Sequence, residues 1–112
     1  MRYNLDSMKK LQIPVSRDKI VDFCERWKII EFSFFGSVLR DDFNPKKSDI
    51  DVLIEFSTNS SWGLFDLVKM EEELSQLFDR HVDLVNKKAV ENSRNWIRKQ
   101  SILESAEVYY AA

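Results

Sequence analysis

Nine residues, "SDIDVLIEF" from Ser48 to Phe56, constrain the fold more than any other part of the chain. Side chains alternate between the two faces of a β-strand. Read with that period, Ile50, Val52, Ile54 and Phe56 share one face, and Asp49, Asp51, Leu53 and Glu55 share the other. Such a strand belongs to a sheet with one apolar face and one mixed face. Burying an ionised carboxylate without a partner costs several kcal/mol. The strand therefore starts at water, or it starts beside a cation.

Two further segments divide in the same way. "IIEFSFFGS" reads as a strand ending at Gly36, with Ile30, Phe32 and Phe34 opposed to Glu31, Ser33 and Phe35. "RHVDLVN" reads as a short third strand, with Val82 and Leu84 opposed to His81, Asp83 and Val85. The pattern predicts helices over the apolar face and an open mixed face that carries Asp49, Asp51 and Asp83. Ser16 and Asp18 open a helix with Ile20, Phe23, Cys24 and Trp27 at helical spacing. Ser60 or Ser61 caps a second helix, whose apolar stripe is Leu64, Leu67, Val68, Leu74, Leu77 and Phe78. Residues 93–110 read as mostly helical, with Trp96, Ile97, Leu103 and Ala106 facing inward. The order helix, strand, strand, helix, strand, helix predicts an α+β fold: a small mixed β-sheet with helices on one face, in a single domain over residues 1–112.

Composition removes several function classes. The net charge is −2, which argues against general nucleic-acid binding by a basic surface. No run approaches the length and apolarity of a membrane span, and the N-terminus lacks the apolar core of a secretion signal, so the expected location is the cytoplasm. The single cysteine, Cys24, reads as a buried core thiol. His81 reads as a solvated residue at the sheet edge. Trp62 suits an interface or the core equally, and Tyr109 and Tyr110 suit terminal packing or modification.

The acidic residues suit one kind of chemistry. Asp49 and Asp51 have Cα atoms roughly 6–7 Å apart on an extended strand. With Asp83 from another strand they make an all-oxygen site suited to Mg²⁺, or to Mn²⁺. Paired ions in such a site clamp a triphosphate and activate an attacking hydroxyl. Gly36 lets backbone N–H groups approach a phosphate, and Ser37 adds a hydroxyl and can open a short helical turn that attracts anions. Arg40 can reach the phosphates or pair with Asp41 or Asp42.

Together, "GSVLRDDFNPKKSDID" and the later "VDLV" resemble the G-S-x-x-R…S-D-x-D signature of the DNA polymerase β nucleotidyltransferase superfamily. The short chain and the spacing are similar to the minimal nucleotidyltransferases, including the antitoxin partners of HEPN toxins. The resemblance covers Phe34 to Asn86 strongly and the flanking helices in their order. It implies a palm-like nucleotidyltransferase fold. It implies that Gly36 and Ser37 hold the β- and γ-phosphates of ATP, that Asp49 and Asp51 ligate two Mg²⁺ ions, and that Asp83 completes the metal site and orients or deprotonates the acceptor. Ser48 would shape the turn into the strand near the phosphates, and Arg40 corresponds to the family's arginine. One departure is Asp41, where many relatives carry Gly; with Asp42 it adds negative charge that Lys46 and Lys47 would have to meet.

The activity implied is a metal-dependent transfer of AMP from ATP to a tyrosine hydroxyl of a cognate HEPN toxin. The protein would act as a type VII-like antitoxin within a hetero-oligomer. An inactive relative that neutralises the toxin by steric binding is the alternative. Transfer to a small molecule such as an aminoglycoside fits less well, because a small acceptor usually needs a second domain to enclose it.

Overall fold

The computed structural model describes residues 16–36 and 49–112. Its elements run α1 (Arg17–Arg26), β1 (Ile29–Phe35), β2 (Ile50–Phe56), α2 (Leu64–Phe78), β3 (Val82–Asn86), α3 (Lys87–Glu91), α4 (Trp96–Ser105) and β4 (Glu107–Ala111). The four strands form one sheet in the order β3-β2-β1-β4. β1 pairs antiparallel with β2 and β4, and β2 pairs parallel with β3. The α+β class and the small mixed sheet expected from the sequence are both present.

The apolar faces of the strands build the main core. Phe32, Phe34, Ile50, Val52, Ile54 and Val82 pack with Ile20, Phe23 and Cys24 of α1 and with Met70, Leu74 and Phe78 of α2. Phe34 is central, standing edge-on to Phe32, Tyr109 and Phe78 at centroid distances of 5.4, 5.5 and 6.0 Å. Edge-to-face pairs of this kind add about 0.5–1.5 kcal/mol each beyond area burial. Cys24 is buried as expected, and burial pushes its thiol pKa far up. A register irregularity between Ile29 and Glu31 puts Ile29, not Ile30, into this core.

Several expectations need correction. Residues 93–110 are not one helix: α4 ends at Ser105, Ala106 turns extended (ψ 134°), and β4 adds an outer strand to β1. Val108, Tyr109 and Tyr110 favour a strand, and the two tyrosines gain burial there, so they are packing residues. Trp96 and Ile97 face solvent, each 66% exposed, while Leu103 and Ala106 do turn inward. Leu64 and Val68 lie outside the buried stripe of α2. α2 is capped at Gly63, not at Ser60 or Ser61: the Gly63 N–H donates to Asp66 Oδ2 at 2.9 Å. Trp62 packs edge-on to Trp27 at 5.0 Å, and its Nε1–H donates to the Trp27 carbonyl at 2.7 Å.

The mixed face is not fully open. Phe35 and Leu53 are apolar islands on it, and Val90 of α3 and Ile102 of α4 cover them in a second, smaller cluster. Asp49, Asp51 and Asp83 lie outside that cluster. Near the far end of this face, Lys87 Nζ donates to Glu31 Oε1 at 2.8 Å and lies 3.8 Å from Glu55 Oε1, fastening α3 to the sheet.

Phe34→Ala is expected to cost about 3–5 kcal/mol of stability in urea denaturation, against under about 0.5 kcal/mol for the exposed Trp96→Ala. A pH effect is also expected at Glu73. The Arg26 guanidinium, with the Trp27 indole assisting, holds the Glu73 carboxyl below its ordinary value of 4.5 against the opposing effect of burial. Its stabilisation is full above that value and is lost as pH falls through the lower folded-state value. Acid titration of the urea midpoint should therefore fall more steeply for wild type than for Glu73→Gln.

Candidate active site

The turn after α2 and the parallel pairing of β2 with β3 position the acidic residues. α2 stops at Asp79, which takes a left-handed conformation (φ 55°), and the Arg80 N–H closes the helix end on the Ser75 carbonyl at 3.1 Å. β3 then begins at Val82, whose N–H donates to Ser75 Oγ at 3.1 Å. The Ile50 N–H donates to the His81 carbonyl at 3.1 Å, tying the start of β2 to the start of β3. With this register Ile50 faces Val82 and Asp51 faces Asp83. Neighbouring strands lie about 4.8 Å apart, so the two carboxylates rise side by side from one face. Asp49 stands two residues upstream of Asp51. Asp49 and Asp83 are exposed and Asp51 is half-buried, so none of the three points into the interior.

Gly36 closes β1 against the same spot. Its φ of +75° lies in the region that residues with a Cβ rarely adopt. A Cβ on it would lie 2.5 Å from Asp51 Oδ2, far inside contact distance. Two independent constraints thus select glycine, and together they bring bare backbone against the Asp51 carboxylate. Ser37, Arg40 and Ser48, with Asp41, Asp42, Lys46 and Lys47, lie outside the described residues. His81 is exposed, in keeping with a solvated position.

Among the described residues, no three His, Cys, Asp or Glu side chains are gathered closely enough to hold a metal ion. The fit to a hard divalent cation is one of donor chemistry and backbone placement. Every candidate donor is a carboxylate oxygen, and two of them occupy facing positions at one sheet end. Like charges on facing positions repel. A shared cation would offset that repulsion.

The sequence reading missed the small cluster of Phe35, Leu53, Val90 and Ile102, which walls the site on the side of α3 and α4. Its signal was present, since Phe35, Leu53 and Val85 interrupt the polar face of three separate strands. Among the described residues, no helix is long and apolar enough to cross a membrane.

Comparison with known proteins agrees with this arrangement. A family model described as a nucleotidyltransferase domain matches residues 17–109. A protein of Methanocaldococcus jannaschii bearing the name "putative protein adenylyltransferase" is 33% identical over 88 residues, covering 79% of this chain and 87% of the relative. Matches to other proteins of that name from the same organism span about two thirds of their length. In a solved toxin–antitoxin structure with AMP-PNP, the matching chain superposes with a TM-score of 0.63 at 18% identity, covering 85% of this chain and 73% of that one. A complex of a tri-AMPylated Shewanella oneidensis HEPN toxin with an MNT antitoxin gives 0.59 at 18% identity, covering 85% and 69%. At such identities the structural likeness speaks to the fold.

Two outcomes are expected. Gly36→Ala should lower stability by about 1–3 kcal/mol in urea denaturation, because strain and the clash with Asp51 act together. Asp83→Asn should raise stability by about 0.2–1 kcal/mol when a chelator is present, because it removes the facing like charge.

Proposed function

The chain belongs to the nucleotidyltransferase-domain family, and on that premise we propose that it transfers AMP from ATP to a tyrosine hydroxyl of a HEPN-family toxin, with which it assembles as a type VII-like antitoxin. The observation that carries the reading is the facing of Asp51 and Asp83 beside the bare backbone of Gly36. The names of its relatives and of its structural neighbours support the choice of acceptor and of nucleotide.

Each residue has a defined task in this reading. Gly36 and Ser37 would admit the β- and γ-phosphates at the end of β1, where Gly36 itself contributes no side chain. Arg40 and Ser48 contribute polar contacts around the triphosphate. Asp49, Asp51 and Asp83 would hold divalent ions, Mg²⁺ or alternatively Mn²⁺. When bound, these ions neutralise triphosphate charge and lower the pKa of the acceptor hydroxyl. Asp83, on the exposed side of the pair, orients that hydroxyl and accepts its proton or passes it to water. The hydroxyl oxygen bonds to the α-phosphorus as the bond to the bridging oxygen breaks, and pyrophosphate leaves in line. A protein acceptor suits a site that sits at an open sheet end, because it brings the other wall of the cleft with it.

A second reading is kept because no three of the described acidic side chains converge: the chain neutralises its toxin by covering it. One experiment separates the two. Purified chain, Mg²⁺ and ATP labelled in the α-phosphate are incubated with a cognate HEPN-family toxin. Label is expected on the toxin, and Asp51→Asn or Asp83→Asn should reduce labelling by about 10²-fold or more. Variants that label nothing yet neutralise the toxin as fully as wild type would establish the covering role.

A further inference from the structure

The α3–α4 hairpin carries a surface that the transfer chemistry does not use. Residues 87–99 hold five cationic side chains and one acidic one, in a chain whose net charge is −2. Lys87 is engaged with Glu31 and Glu55. Among the described residues, the side chains of Lys88, Arg94, Arg98 and Lys99 form no ion pair. Lys88 lies apart, beside Phe56 and Trp62. Between Arg94 and Arg98 in the sequence stand Trp96 and Ile97, each 66% exposed. Beside them Arg98 and Lys99 rim a hollow of about 110 Å³ whose floor includes Val85, Val90 and Ile102. Burial does not require this display, since α4 already anchors itself through Ile102, Leu103 and Ala106.

We propose that the exposed side of α4 is the docking surface for the acceptor protein, and that it receives an acidic surface patch bearing an apolar side chain. The proposal rests on the transferase–antitoxin reading above and names the contact by which that acceptor is held. Trp and Arg are the residue types that most often carry interface energy, around a pocket that takes an anchor from the partner. Unpaired cations around the anchor select an acidic partner and speed encounter. The occupant is a protein and not RNA because the rest of the chain is acidic and repels an extended polyanion. The position also suits the chemistry, because α4 covers Phe35 and Leu53, the neighbours of Asp51 across and along the sheet.

Binding of a cognate HEPN-family toxin is measured by calorimetry for wild type, Trp96→Ala, Arg98→Glu and Asp51→Asn, alongside labelling from ATP and thermal midpoints. Trp96→Ala and Arg98→Glu are expected to weaken toxin binding by about tenfold or more at unchanged midpoint. Labelling should recover at high toxin concentration, as a rise in KM at nearly constant kcat. Asp51→Asn should lose labelling and keep binding. Toxin binding unchanged in both α4 variants overturns the docking assignment and leaves the transferase reading standing. A labelled single-stranded RNA that binds wild type at physiological salt, and is lost in the same two variants, also overturns it. Absence of labelling by wild type, with α4-dependent binding intact, sinks the transferase reading alone.

Discussion

The parallel pairing of β2 with β3 is the constraint on which the site depends. Its register puts Asp51 against Asp83 and ties Ile50 to His81 across the same strand ends. Shifting β3 by one residue would turn Asp83 toward the main core and Val82 toward water. That slip is prevented from both sides. Val82 is fully buried under α2, and the Val82 and Leu84 N–H groups donate to Ser75 and Glu71 of that helix. The hydrophobic pattern therefore holds two carboxylates in facing positions.

The two faces of the sheet divide the labour. One buries the aromatic cluster around Phe34 beneath α1 and α2, and supplies rigidity. The other is covered only in part, by α3 and α4, through the small cluster of Phe35, Leu53, Val90 and Ile102. Among the described residues, the end of this face that holds the aspartates and the Gly36 bend lies outside that cluster. A half-cleft of this form suits an acceptor large enough to complete it, which links the architecture to a macromolecular substrate.

Much of this was legible from residue patterns. The period-two division of "SDIDVLIEF" located β2, both of its faces and the acidic end, and "RHVDLVN" did the same for β3. What escaped had physical causes. β4 follows α4 with no glycine or proline to mark the break, and its strand character comes from pairing with β1, a long-range contact that no local pattern shows. Trp96 and Ile97 look like core residues by composition, but the inward side of α4 is already occupied by Ile102, Leu103 and Ala106. The cover over the mixed face was missed because its apolar residues come one to a strand, and they add up to a patch only once the register is known.

The most direct test of the account is equilibrium binding of Mn²⁺ together with a non-hydrolysable ATP analogue, followed by the paramagnetic signal of the free ion. The account requires that wild type take up Mn²⁺ with the nucleotide, and that Asp51→Asn and Asp83→Asn each lose that uptake while remaining folded. Equal uptake by wild type and by a variant lacking both carboxylates would contradict it, because the facing pair would then have no part in holding the nucleotide.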